Sequence, residues 1–410
     1  MRIAIIGGGI GGLTLGLYFE RAGIDCTIHE LVPVVKPLGV GINLQPHAFR
    51  LLAELGLADA LAARGVEPRE FCFYNRHGQF IYAEPCGRHA GYAWPHFSIH
   101  RGDLHEVLYE AASKRLGTAQ VITDRRLVGL DPGPDHVRLR LQSADGREHT
   151  AQFDAVIGCD GIHSAVRRHL YPDEGPPAFE GIHMWRGVTR AAPFLTGGSI
   201  VRCGSLNFGK VTIYPIRNHP DGSQLINWVA EIRKGALTHA DWSRPGRLED
   251  FIGYYADRRF DWLDVPALMR SADLILEYPM VDRDPLPRWS FGRVTLLGDA
   301  AHPMYPRGGN GAAQAILDAQ CLAQQLAADT DVVDALREYD ARRRPATTEV
   351  VLTNRRQPPD AIIEEVEART AGAPFGKLDD VLPITKIREI SERYQRVAGM
   401  DIATVNRASS

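Results

Sequence analysis

The sequence predicts an α/β fold built in pieces: a parallel-sheet domain, a β-rich insertion and a helical C-terminal tail. Three observations predict it. Residues 2–30 read as strand, glycine-rich turn, helix and strand. Residues 179–285 change to short β-rich runs with frequent turns. Residues 286–345 return to strand, loop and helix. These shifts place the α/β unit at 1–72, 97–178 and 286–345, the inserted unit at 73–96 and 179–285, and the tail at 346–410.

The first thirty residues organise the rest. Ile3 to Ile6 is a short apolar run, read as a buried strand. Gly7, Gly9 and Gly12 follow in the order G-x-G-x-x-G, then a helical run from Leu13 to Ala22, a stop at Gly23, a strand from Cys26 to His29, and Glu30. Gly7 permits a tight turn, Gly9 lets backbone approach a pyrophosphate, and Gly12 lets helix and strand pack closely. The helix N-terminus offers unpaired N–H groups and partial positive charge to the phosphates. Glu30 stands where an acid accepts hydrogen bonds from a ribose diol, and it repels a 2′-phosphate. Together these features predict a bound adenine dinucleotide. Arg2 before an apolar run also suits a signal peptide. The turn glycines, Glu20-Arg21 and the lack of a small-residue cleavage site argue against one.

Residues 33–46 carry prolines and glycines and form an irregular entry in which Gly41 can approach a flat ligand. Pro46 opens a helix to about Leu55, and Asn43 and Gln45 suit turn capping or ligand contact equally. Residues 69–84 alternate around an N-R-H-G turn and predict a hairpin. Phe97 to His100 is a strand leading into Arg101, and Asp103 with Glu106 fits a capping box for a helix to Leu116. Short strands fill 119–153. A buried strand then ends at Asp160-Gly161, followed by a helix with Ser164 and Arg167. The inserted unit reads as an antiparallel sheet covered by helices near Arg247 to Tyr255 and Val265 to Arg270. Val294 to Leu297 is a strand ending in Gly298-Asp299, and a proline- and glycine-rich loop leads to a long helix from about Asn310. Another helix closes on a basic, solvated end, Arg342-Arg343-Arg344-Pro345, and 357–410 reads as a loose helical tail.

Composition narrows the partners. A net charge of -3 over 410 residues leaves no basic footprint for nucleic acid. No apolar run approaches the roughly 18 residues of a membrane span. Six cysteines without a C-x-x-C pair argue against zinc and disulfides and suit a reducing cytoplasm. No metal ligand set and no nucleophilic triad is apparent.

Three motifs now stand in order: G-x-G-x-x-G at 7–12, C-D-G-I-H-S-A-V-R at 159–167 and G-D-A-A-H-P-M-Y-P-R-G-G-N-G at 298–311. The set resembles the single-component FAD-dependent aromatic hydroxylases of the p-hydroxybenzoate hydroxylase fold, over residues 1 to about 345. Within that family, P-L-G-V-G-I-N-L-Q-P, M-W-R-G-V and G-A-A-Q-A-I-L-D look most like the phenazine-carboxylate monooxygenases. The resemblance implies a discontinuous Rossmann-type FAD-binding domain with an inserted substrate domain. It implies that Gly7, Gly9 and Gly12 hold the pyrophosphate, Glu30 the adenosine ribose, Arg101 the FAD side chain and Asp299 the ribityl chain. Asp160 would lie near the pyrophosphate and the nicotinamide path, and Pro306 to Gly311, with Gly308 and Asn310, would line the isoalloxazine. The implied activity is hydroxylation of a small aromatic compound with O2 through a flavin C4a-hydroperoxide, NADH being the donor rather than NADPH, in a monomer or homodimer. Halogenation, tetracycline-type inactivation and a flavin-bound sensor are the alternatives, and the W-x-W-x-I-P halogenase motif is absent. For the substrate pocket, Tyr214 is a hydrogen-bonding candidate or a core aromatic. Trp185 and Arg186 point to opposite faces of their strand. Arg307, where the family loop often has a small or apolar residue, anchors a substrate carboxylate or points to solvent.

Overall fold

The computed structural model describes residues 1–34, 39–235, 245–328, 331–356 and 358–407. Part of the irregular entry at 33–46 therefore lies outside the described residues. The opening unit is a five-stranded parallel sheet in the order Val294–Leu296, Ala155–Gly158, Arg2–Ile6, Asp25–His29, Val121–Ile122. The apolar runs read from the sequence form its central strands. Ile3, Ile5, Val156 and Ile157 are fully buried, sharing one core with helix residues such as Leu13, Leu17 and Ile316 and with Leu130, Val137, Leu139 and Phe153 of the antiparallel strands that follow. The first helix, Ile10–Arg21, packs on the later helix Gly311–Ala327, with Gly11 facing Ala315 and seated against Leu297, where a Cβ would lie 2.9 Å away. A three-stranded antiparallel sheet from residues 126–153 sits beside this unit.

The inserted unit is a seven-stranded sheet: Ile275–Asp282, Ala178–Ala191, Gln224–Arg233, Lys210–Asn218, Ser199–Cys203, Glu70–Tyr74, Phe80–Pro85. It is antiparallel except where Ser199–Cys203 runs parallel to Glu70–Tyr74, which brings in the predicted hairpin. The strand Glu70–Tyr74 spans the sequence boundary at 72. One face of the sheet carries Trp185, Val201, Ile213 and Trp228 under Phe251, Tyr255 and Met269. The other, with Met184, Arg186, Arg202 and Tyr214, turns inward. Trp185 and Arg186 thus part as strand alternation requires.

Four local expectations change. The helix near 247–255 is two 3-10 turns, Leu248–Asp250 and Ile252–Tyr255, which seat Phe251 and Tyr255 together on the sheet. The helix to Leu116 starts at Arg101, not after Asp103. His100 caps it by accepting from Gly102 N at 3.2 Å, and the Asp103 carboxylate pairs with Arg217 instead. The basic helix does not close at Pro345. It runs Val332–Arg356 with the proline inside, and Arg343 turns inward to Asp318 Oδ1 at 2.6 Å. The tail is not loose: Ile362, Ile363, Val366, Leu382 and Ile387 form a buried cluster with Phe73 and Ile81 of the hairpin.

Candidate active site

The glycine-rich turn has the shape its residues predict. A Cβ at Gly12 would lie 2.0 Å from the Gly7 carbonyl oxygen, and Gly7, at φ 107°, backs onto the Cys159 carbonyl. A Cβ at Gly9 would meet nothing within 4 Å, so open space faces the helix N-terminus, where Gly9 provides no side-chain cap. That combination of free N–H groups and room suits a pyrophosphate. Glu30 reaches back to the turn: Oε2 accepts from Gly8 N at 2.6 Å and Oε1 from Val32 N at 2.9 Å. His105, from the helix after Arg101, holds Gly8 O at 2.6 Å and was not singled out in the sequence. A lone histidine at mid-helix gives no local signal of that reach.

The two aspartates of the later motifs differ. The Asp160 carboxylate is spent on its own helix, accepting from Ser164 Oγ at 2.5 Å and Ala165 N at 2.6 Å. Its backbone, against Gly7, is what borders the dinucleotide turn. Asp299 is exposed. The surrounding protein pushes its carboxyl above the usual range, opposed by His302 and Arg101. Arg101 is itself exposed at the head of its helix. Behind Asp299, Asp318 fixes the loop by accepting from His302 Nε2 at 2.5 Å, Gly298 N at 3.2 Å and Arg343 Nε at 2.6 Å. Burial opposes the Asp318 charge, but His302 and Arg343 hold its pKa low.

The loop Pro306–Gly308 is a 3-10 turn ending in Gly309 at φ 62°, and Gly311 starts the long helix. A Cβ at Gly311 would be 3.9 Å from Asp299 Oδ1, so loop, aspartate and helix N-terminus share one cleft. Asn310 precedes that helix without a side-chain cap, and its Nδ2 is buried without a partner. These are the features a flavin ring and ribityl chain need: free N–H groups, a hydrogen-bond acceptor and no bulk.

Two of the pocket candidates have other partners. Tyr214 is a core aromatic at mid-strand, packed with Ile200 and Ile216. Burial pushes its phenol up, while the neighbouring Arg186 and Asn227 oppose the shift. The same two residues hold Gly41, through Asn227 Oδ1 to Gly41 N at 2.7 Å and Arg186 Nη2 to Gly41 O at 2.8 Å. Gly41 therefore ties the α/β unit to the sheet, and its own peptide groups are occupied. Arg307 neither faces solvent nor is free for a substrate. It is buried, and Nη2 donates to Asp360 Oδ2 at 3.2 Å and Glu364 Oε1 at 2.5 Å, both from the tail. Lys210 Nζ, from the sheet, meets the same Asp360 Oδ2 at 2.8 Å and Glu231 at 2.6 Å. Above this chain of charges Tyr394 donates to Asn354 Oδ1 at 3.0 Å and lies against Gly308. Pro306, expected to line the isoalloxazine, is exposed, unlike the buried Tyr214 and Arg307.

Residues 1–354 match the family model described as FAD binding domain. A phenazine 1,6-dicarboxylic acid hydroxylase of Lysobacter antibioticus is 44% identical over 86% of this chain and 89% of its own length. The chain belongs to the FAD-dependent aromatic hydroxylases. A 3-amino-4-hydroxybenzoate 2-monooxygenase of Streptomyces platensis is 38% identical over 85% of each chain. The fold matches that of Klebsiella pneumoniae HpxO complexed with FAD and uric acid, with TM-score 0.77, 23% identity and coverage of 99% of this chain and 96% of that one. This flavoprotein monooxygenase thus keeps company with hydroxylases rather than with halogenases, tetracycline-inactivating enzymes or sensors. Its likeness to a phenazine hydroxylase agrees with the sequence segments quoted above. Asp360, Glu364 and Tyr394 lie beyond the matched residues, which is why family motifs did not point to them. No helix among the described residues is long and apolar enough to cross a membrane.

Proposed function

We propose that this hydroxylase acts on a carboxylated aromatic or N-heteroaromatic acid, with NADH as hydride donor and O2 as oxidant. The observation that carries the reading is the pair of open sites the fingerprint residues leave, space before the helix N-terminus at Gly9 and the start of the later helix at Gly311 beside Asp299, with Gly41 tied to the inner face of the sheet. The two curated relatives described above act, by name, on a phenazine dicarboxylic acid and an aminohydroxybenzoate, both aromatic acids.

FAD, when bound, supplies the hydride acceptor and the oxygen-activating ring. The chain does the rest. Gly7, Gly9 and Gly12 leave room for the pyrophosphate, and the first helix neutralises it. Glu30 would release Gly8 or share its remaining lone pairs to take the ribose. Asp299 would accept a hydroxyl of the ribityl chain, with Arg101 acting on it. The N-terminus of Gly311–Ala327 would stabilise negative charge on the reduced ring, and Gly308 and Asn310 would offer it backbone and amide groups. Pro306 would help exclude water. The substrate is held, not activated, by the protein, so positioning and dryness dominate. All six cysteines are free, which suits a cytoplasmic enzyme.

The test is NADH oxidation by the holoenzyme across phenolic acids, N-heteroaromatic acids and phenazine acids, with products weighed for one added oxygen. Stimulation by aromatic acids with a 16-dalton gain, and slower turnover with NADPH, is expected. Oxidation that no aromatic acid stimulates would remove the proposal.

A further inference from the structure

Arg202 carries a charge that no carboxylate among the described residues meets at ion-pair distance; Glu84 and the buried Asp360 act on it only from farther away. It lies on Ser199–Cys203 at the centre of the inner sheet face and is 8% exposed. Its guanidinium makes no ion pair and no hydrogen bond among the described residues. What it has instead is the rings of Phe71 and Phe73, 5.4 and 5.6 Å from their centroids. Neighbouring cations are treated differently. Lys210 has Glu231 and Asp360 within ion-pair distance, and Arg307 has Asp360 and Glu364. Burying a cation without an anion or hydrogen-bond acceptor is costly, and stacking on phenyl rings offsets only part of that cost.

The surroundings say what is missing. Phe71 is also packed edge-on by His96, at 5.1 Å, and His96 Nε2 is buried without a partner. Burial first, then the charges of Arg202 and His47, keep His96 neutral, with its pKa lowered to about 3. Arg202 also acts on Tyr394, whose ring lies against Gly308 of the flavin loop. A guanidinium without an ion-pair partner, a neutral ring nitrogen and two phenyl faces therefore stand together on the inner face of the sheet, with Tyr394 between them and the flavin loop. A planar fork of N–H groups stacked on aromatic rings is matched by a carboxylate on a flat ring, which pairs bidentately.

We infer that Arg202 receives the carboxylate of the aromatic substrate in a subsite walled by Phe71 and Phe73, beside His96. The inference rests on the aromatic-acid reading above. It moves the anchoring role from Arg307, which the tail already neutralises, to a residue of the sheet.

The test measures binding to the oxidised holoenzyme without NADH, read from the perturbed flavin absorption. Two pairs of probes serve: phenazine-1,6-dicarboxylate against phenazine, and 3-amino-4-hydroxybenzoate against 2-aminophenol. The wild type should prefer at least one acid to its decarboxy analogue. Arg202→Gln should lower that preference about ten- to a hundredfold, and Arg202→Lys should fall between. A preference unchanged in Arg202→Gln, or absent in the wild type, overturns the anchor. If Arg202→Gln takes up no FAD, Arg202→Lys decides: an unchanged preference there also overturns it. Acids that bind through Arg202 yet yield no oxygenated product would instead defeat the proposed function and leave the anchor standing.

Discussion

Arg307 and Asp360 meet at 3.2 Å, joining the flavin loop to a tail residue outside the matched family region. Asp360 is fully enclosed, and despite burial Lys210, Arg307 and Arg202 hold its carboxyl far below the usual range. Asp360→Asn should therefore destabilise the holoenzyme by about 3–5 kcal/mol, since it leaves two buried cations short of an anion. Glu364→Gln, at a side chain 40% exposed, should cost no more than about 1 kcal/mol. Denaturant unfolding of both variants checks the ranking. The sign of the pH effect follows from a depressed carboxylate. Its contribution is complete above about pH 4 and is lost as pH falls towards the folded value.

Much of this arrangement was legible beforehand, and the rest was hidden for physical reasons. Gly7, Gly9, Gly12 and Asp299 are readable because backbone approach and strand–turn–helix spacing are local properties. Arg307 was recognisable as unusual, but its partners sit 53 and 57 residues away, and no periodicity links them. The tail looked loose because its helices are short. Their stability comes from Ile362, Val366 and Ile387 packing on Phe73 and Ile81, a contact that only the folded hairpin supplies. Asp103 gave a valid capping pattern, yet the strand Phe97–His100 runs straight into its helix, so the cap fell to His100.

Two glycines of the fingerprint should fail in different ways. Gly12→Ala sets a Cβ 2.0 Å from the Gly7 carbonyl, so the turn must break and folding should suffer. Gly9→Ala meets no protein atom within 4 Å, at an ordinary φ of −78°. It should fold with native circular dichroism but lose flavin absorption, because the methyl occupies pyrophosphate space. Coloured Gly9→Ala protein would show that the phosphates lie elsewhere.

Acid should weaken the enzyme through its buried histidines. His47 and His96 are buried, and burial first, with nearby arginines second, lowers both to about 3; His29 falls to about 4. Each is neutral when folded and protonates near 6.5 when unfolded. The unfolded state therefore binds more protons below about pH 6.5, and stability falls as pH drops from there towards 4. Unfolding free energy measured between pH 7 and 4.5 should decline, with a slope that steepens to about three protons near pH 5. The double variant His47→Gln, His96→Gln should flatten it by about two.

Tyr214 and Arg202 share the inner face but should answer differently to mutation. Tyr214 already has Arg186 and Asn227 as neighbours, and those two also hold Gly41. Tyr214→Phe removes one buried hydrogen-bonding group, so a stability loss of about 1 kcal/mol is expected. Any kinetic effect should come through a loosened Gly41 segment, raising the FAD dissociation constant and slowing turnover of acidic and neutral aromatics alike. Arg202 acts on one class of ligand only. If Tyr214→Phe instead discriminated between an acid and its decarboxy analogue while FAD affinity held, the phenol would be touching substrate, and its surroundings at Arg186 and Asn227 would have to open on binding.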